Sequence, residues 1–138
     1  MSEEYRIEAA EQPDWDTIGG GIGEFNAEQA GDDSSEYLCY LLRGPDGETA
    51  GGVIAAIHYG WLYVSLMWVR EDLRGKGWGA RLLAQAEEEA KQRGVASAYL
   101  DTFSFQAPGF YEKAGYRILG ELADFPAGHK RFYMLKEL

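Results

Sequence analysis

The chain has 138 residues, 46% of them hydrophobic, enough to bury one core but not two, so a single domain over residues 1–138 is expected. A formal net charge of −10 argues against nucleic acid as a partner, because phosphate backbones call for a basic surface and this chain has only local basic spots. The one cysteine, Cys39, excludes an internal disulfide and a cysteine-built metal site.

The first residues, Met1-Ser2-Glu3-Glu4, are acidic and carry no apolar leader, and no segment has the length of a membrane span. A cytoplasmic protein without membrane contact is therefore expected. The pattern predicts a strand over 5–10 and a helix from Asp14 to Gln29. In that helix Ile18, Ile22 and Phe25 share a face, while Gly19, Gly20, Gly21 and Gly23 each cost about 1 kcal/mol relative to alanine, so it is expected to be shortened or distorted. A strand over 37–43 follows, with Cys39 expected to be buried among Tyr37-Leu38 and Tyr40-Leu41. The turn Gly44-Pro45-Asp46-Gly47 has a mechanism, since proline presets φ and glycine accepts positive φ. Strands over 49–57 and 61–69 come next, then a helix over 77–93, a strand over 97–102, a helix over 106–114, and strands over 116–121 and 129–136. These elements specify an α+β domain with a mixed sheet.

The segment Leu73-Arg74-Gly75-Lys76-Gly77-Trp78-Gly79-Ala80-Arg81 joins an apolar strand to an amphipathic helix through a basic, glycine-rich turn. Amides at a helix start have no intrahelical acceptor and the peptide dipoles make that end electropositive, so an anion is favoured there. Glycines remove the Cβ atoms that would keep a ligand away, and Arg74, Lys76 and Arg81 add positive charge. A P-loop is excluded because Gly-Lys-Ser/Thr is absent, and a dinucleotide fingerprint because the third glycine spacing is missing. What remains is R-x-x-G-x-G, filled by Arg74, Gly77 and Gly79. Downstream, Gln106-Ala107-Pro108-Gly109-Phe110-Tyr111-Glu112-Lys113-Ala114-Gly115-Tyr116 forms a second motif, separated from the first by one helix and one strand.

Together these motifs resemble those of the GNAT superfamily of acyl-CoA-dependent N-acetyltransferases, and the likeness runs from about Val53 to the C-terminus. The resemblance implies a GNAT-like fold: a mostly antiparallel sheet with flanking helices, whose central strands splay into a cleft where the pantetheine arm adds to the sheet. It implies acetyl-CoA as cosubstrate, no metal, and a small-molecule or peptide amine as acceptor, with a homodimer possible. It places the pyrophosphate on Arg74, Gly75, Lys76, Gly77, Trp78, Gly79 and Ala80, oxyanion-binding amides near Met67, Trp68 and Val69, and an amide side chain at Gln106, although Gln106 is longer than the asparagine frequent there. Tyr111 matches the tyrosine that donates to the leaving thiolate.

An amine with a pKa near 10.4 is neutral in only about one molecule in two thousand at pH 7, so the site must accept a proton. No carboxylate occurs between Trp61 and Val69, where Tyr63 and Ser65 are the polar candidates. Asp101, Glu24, His58, Asp124 and a chain of waters stay open as the route. Trp61, Tyr63, Trp68, Phe103, Phe105 and Phe125 could frame a cationic amine by cation–π attraction, with the loop Phe125 to Lys130 over the cleft. The alternative is an acyl-CoA-binding regulatory module without turnover.

Overall fold

The computed structural model describes residues 4–138; residues 1–3, most of the acidic N-terminal stretch, lie outside the described residues. Contacts divide it into two compact units, one ending at Asp33 and the other spanning Ser34–Leu138. In the first, helix α1 covers Trp15–Ala30. The Asp14 side chain accepts the Thr17 N–H at 3.0 Å, and Gly31, at φ 79°, closes the other end by donating to the Ala27 carbonyl at 2.9 Å. The helix is unbroken through Gly19, Gly20, Gly21 and Gly23, so the expected distortion does not occur: both ends are capped and its last turn, Ala27-Glu28-Gln29-Ala30, consists of good helix formers. The strand expected over 5–10 does not form either. A strand exists only through its ladder, and the sheet contains six strands that all begin after Ser34.

The second unit contains β1 (Glu36–Arg43), β2 (Thr49–His58), β3 (Trp61–Val69), a 3₁₀ turn (Glu71–Leu73), α2 (Trp78–Gln92), β4 (Ser97–Phe103), α3 (Pro108–Lys113), β5 (Arg117–Ala123) and β6 (Lys130–Glu137). The strand order is β1-β2-β3-β4-β6-β5, and only β3 and β4 run parallel. This is the expected mixed, mostly antiparallel α+β architecture. Among the described residues no helix is long and apolar enough to cross a membrane.

The α2 side of the sheet forms the core. Strand alternation sends Val53, Leu62, Val64, Leu100 and Met134 to one face, where they meet Leu82, Leu83, Ala86 and Ala90 of α2. Burying a leucine, valine or methionine fully contributes about 1.5–3 kcal/mol each before entropy is counted. The same alternation corrects the expectation for Cys39: Leu38 takes the buried position on β1, and Cys39 is exposed on the other face.

The central strands splay because their pairing stops early. Parallel partners run from Trp61↔Ser97 to Val64↔Leu100 and go no further, although both strands continue. On its other side β3 shifts register against β2 between Ala55↔Val64 and Ile54↔Leu66, which makes Ser65 a bulge residue. A bulge bends its strand and increases local twist. Beyond it β3 stays with β2 while β4 stays with β6 as far as Phe103↔Arg131, and a gap opens between the halves.

A partly buried polar cluster ties α2 to the end of the sheet. Tyr116 donates its hydroxyl proton to Glu87 at 2.7 Å, and Lys136 Nζ donates to the other Glu87 oxygen at 2.8 Å. Burial, with the Glu87 charge beside it, pushes the Tyr116 phenol well above its ordinary range, and burial also raises Tyr111. Phenols in the unfolded chain titrate near 10, so above about pH 10 the native state holds more protons than the unfolded state. Stability is therefore expected to fall as pH rises through that region. Urea unfolding at about pH 9 and about pH 11 measures the fall, and Tyr116→Phe should make it smaller.

Candidate active site

The glycine-rich turn begins where β3 ends. Arg70 N–H donates to the Ala50 carbonyl at 2.8 Å, sealing the last β2–β3 contact, and the 3₁₀ turn then reverses the chain. Arg74 folds back, its Nε donating to the Val69 carbonyl at 2.8 Å, so one expected phosphate ligand is anchored to the strand end. Arg70 grips Asp72 through Nε at 2.6 Å and Nη2 at 3.1 Å, which holds the Asp72 carboxyl below its usual range and raises the guanidinium. The acidic side chain nearest the basic turn is thereby neutralised.

Gly75 at φ 74° and Gly77 at φ 89° occupy the left-handed region, and a Cβ at either would meet open space. Their role in the turn is conformational, and the surface beside them stays clear. Gly77 is the N-cap of α2 and no side chain caps that helix. The first-turn amides at Trp78, Gly79 and Ala80 therefore have no side-chain acceptor, and the helix dipole adds positive potential. Lys76 is exposed, and the Arg81 guanidinium lies 4.4 Å from the Trp78 ring centroid. Gly79 does something different: a Cβ built there would lie 3.4 Å from the Phe110 ring, an ordinary contact that leaves no room for a larger side chain. The two sequence motifs come together there.

Met67, Trp68 and Val69 lie beyond the bulge, paired with Val53, Gly52 and Gly51 of β2 and with nothing on the β4 side. A strand paired on one side only presents free N–H and C=O groups on the other. Gly51 and Gly52 are positions of close backbone approach beside this strand that sequence reasoning passed over. A Cβ at Gly51 would lie 2.7 Å from the Trp68 carbonyl oxygen, and one at Gly52 would lie 2.9 Å from the Tyr40 carbonyl oxygen. The available signal was a Gly-Gly pair inside a strand, a mark of close backbone approach.

Tyr111 sits half-buried on α3, with its ring edge-on to Phe110 at 5.1 Å and to Tyr116 at 6.0 Å. Its carbonyl accepts the Tyr116 N–H at 3.0 Å. Among the described residues no group hydrogen-bonds its hydroxyl. Gln106 turns inward to its own loop: its side-chain oxygen accepts the Phe103 N–H at 2.9 Å and the Thr102 hydroxyl at 3.1 Å.

On the sheet face away from α2, Tyr63 donates its hydroxyl proton to Asp101 Oδ2 at 2.8 Å. Arg131 holds the other oxygen, Oδ1, through Nε at 3.0 Å and Nη2 at 2.6 Å. Burial, reinforced by the bond to Asp101, pushes the Tyr63 phenol up to about 12. Arg131 also lies 5.0 Å from the Phe125 ring, 5.4 Å from Phe103 and 5.5 Å from Tyr133. Two of the sequence candidates for proton handling, Tyr63 and Asp101, are thus joined. Asp124 is not among them: its side chain accepts the Gly128 N–H at 3.4 Å within the late loop. Glu24 lies on α1, in the other unit. Among the described residues no group of three or more His, Cys, Asp or Glu side chains could hold a metal ion.

The model of the acetyltransferase (GNAT) family matches residues 2–116 of this chain. Blasticidin-S acetyltransferase of Streptomyces morookaense is 42% identical over 103 residues, covering 74% of this chain and 75% of that protein. An acetyltransferase from Bacillus cereus ATCC 14579 superposes with a TM-score of 0.89 at 31% identity, over 97% of this chain and 98% of its own. Nourseothricin acetyltransferase superposes with a TM-score of 0.66 at 28% identity, over 77% of this chain and 67% of its own.

The Gly79–Phe110 contact sets a size limit at the helix start. Gly79→Ala should be tolerated, because a lone Cβ at 3.4 Å is an ordinary contact. Gly79→Leu should destabilise the fold by about 1–3 kcal/mol through overpacking, and pairing it with Phe110→Ala should recover part of that loss. Urea unfolding of the four proteins checks this.

Proposed function

The chain belongs to the acetyltransferase (GNAT) family, and from that premise we propose that it transfers an acetyl group from acetyl-CoA to a primary amine by direct attack in a ternary complex. The observation that carries this reading is the coincidence of two features. An uncapped helix start lies behind a positive-φ glycine turn, and the strand leading into that turn has just lost its neighbour on one side. One feature suits the pyrophosphate of acetyl-CoA and the other its pantetheine arm.

The donor supplies a thioester that is open to attack by an amine. In this reading the pyrophosphate sits on the amides of Gly77 to Ala80, with Arg74 and Lys76 adding charge. The free edge of β3 over Met67 to Val69, where alternation turns the Met67 and Val69 amides outward and the Trp68 amide towards β2, supplies preorganised donors for the oxygen that gains charge during attack, where water would have to reorient. Tyr111 donates a hydrogen bond to the departing sulfur. Burial favours its neutral form, so it carries its proton at working pH. A small-molecule acceptor is in line with the relatives named for blasticidin-S and nourseothricin.

The test combines binding with turnover. Acetyl-CoA should raise the melting temperature, and Gly77→Asp should abolish that rise by setting a carboxylate against the pyrophosphate and straining a turn that needs φ 89° there. Thiol release with a panel of primary amines should increase from about pH 6 to about pH 8.5 as the neutral amine becomes available. A thermal shift without thiol release from any amine would instead support a regulatory acyl-CoA-binding module.

Tyr111→Phe keeps the ring contacts with Phe110 and Tyr116 and deletes only the hydroxyl. Single-turnover acetyl transfer should fall by about 10² to 10⁴, with acetyl-CoA affinity and melting temperature nearly unchanged. Normal turnover in the folded variant would remove Tyr111 from the leaving-group role.

A further inference from the structure

We infer that Tyr63 is the group that receives the acceptor amine, its oxygen accepting an N–H hydrogen bond that orients the nitrogen for attack, with Asp101 and Arg131 as positioning residues behind it. This rests on the acetyl-transfer reading and names the acceptor side of the same site.

The geometry has three parts. The first is place. Tyr63 stands opposite Tyr99 in the β3–β4 ladder, one pair before that ladder ends at Val64↔Leu100, and Asp101 is the first β4 residue past the end. Alternation sends Val64 and Leu100 into the core and directs Tyr63, Tyr99 and Asp101 to the opposite face. The opening between β3 and β4 thus has Tyr111 packed against the core on the α2 side and the Tyr63 cluster on the other. An acceptor arriving at the Tyr63 face does not compete with a donor lying against α2.

The second part is hydrogen-bond polarity. A tyrosine hydroxyl has one proton and two lone pairs. The proton of Tyr63 is committed to Asp101 Oδ2, so towards the opening the oxygen acts as an acceptor. Asp101 has no comparable freedom, since Arg131 binds its other oxygen twice. Arg131 also neutralises the carboxylate and is itself fixed among Phe103, Phe125 and Tyr133. Asp101 and Arg131 therefore act through Tyr63. The phenol, raised to about 12, stays neutral across the working range, so this polarity does not change with pH there.

The third part is the surround. Tyr99 packs 4.9 Å from the Tyr63 ring and Trp61 lies 5.9 Å beyond it, while Ala56 is the small residue opposite Tyr63 on β2. An amine carried on an apolar or aromatic skeleton fits this wall, with cation–π attraction available to it before it loses its proton.

The test uses the full chain with phenethylamine and blasticidin-S as acceptor probes. Tyr63→Phe and Asp101→Asn should each lower kcat/KM for the amine by about 10- to 100-fold, as expected for a lost substrate hydrogen bond. Acetyl-CoA affinity should stay near wild type in both, and the melting temperature near wild type in Tyr63→Phe, whereas Asp101→Asn should also lower the melting temperature by leaving Arg131 without its carboxylate. The double variant should lose little more than either single one, because both act on one contact. Asp101→Asn should also let Tyr63 ionise at lower pH, read by ultraviolet difference titration of the free protein against Tyr63→Phe. Calorimetric binding of the amines without donor reads the contact independently of turnover. Amine binding and kcat/KM unaffected by both substitutions would overturn the inference, as would losses confined to acetyl-CoA affinity or melting temperature. Amine binding weakened by the substitutions, with no thiol release even in wild type, would instead overturn the acetyl-transfer reading.

Discussion

The bulge at Ser65 is the constraint on which the rest of the site depends. An α/β crossover brings β4 beside β3 in parallel, and uninterrupted pairing would have closed the sheet. By bending β3 after Val64, the bulge keeps its C-terminal half on β2 and releases it from β4. One local irregularity thus produces a free strand edge, the opening between the halves, and the direction in which β3 enters the glycine turn. Gly51 and Gly52 belong to the same device, because the released half of β3 and the neighbouring β1 come too close there for any side chain.

Positive potential in this acidic chain is local and depends on pairing. Near the turn, Arg70 takes up most of the Asp72 charge, leaving the helix dipole, Lys76 and the remaining donors of Arg74 to set the local potential. Elsewhere the same logic serves structure: Glu87 collects Lys136 and Tyr116, and Asp101 collects Arg131 and Tyr63. Each carboxylate in these clusters is satisfied at both oxygens, which keeps its desolvation cost in check. The clusters occupy opposite faces of β4 and β6 and fix the sheet around the opening.

The contact between Gly79 and Phe110 joins segments that are far apart in the chain. It brings the start of α2 near α3, the helix that carries Tyr111, so the proposed anion site and the proposed leaving-group donor lie on neighbouring elements. Because the core cluster packs with Phe110 and Tyr111 from below, displacement of either helix is resisted by the same buried leucines and Met134.

Local patterning was enough to determine all six strands and all three helices of the described residues, the glycine turn and the family resemblance, because each rests on periodicity, breakers or a short motif within one segment. Its failures have physical causes. The alternation at 5–10 met no ladder, Cys39 followed strand parity to the exposed face, and helix caps with good formers outweighed four glycines in α1. Other features were beyond the reach of a single segment. The role of Gly79 in helix contact, the close approach at Gly51 and the inward turn of Gln106 depend on what lies across the fold. Tyr63, Asp101 and Arg131 come from three strands, and their assembly depends on ladder register and on where pairing stops. Hydrogen bonds and steric contacts act over a few ångströms in space, whereas sequence patterns report neighbours along the chain; only the tertiary structure brings those distances together.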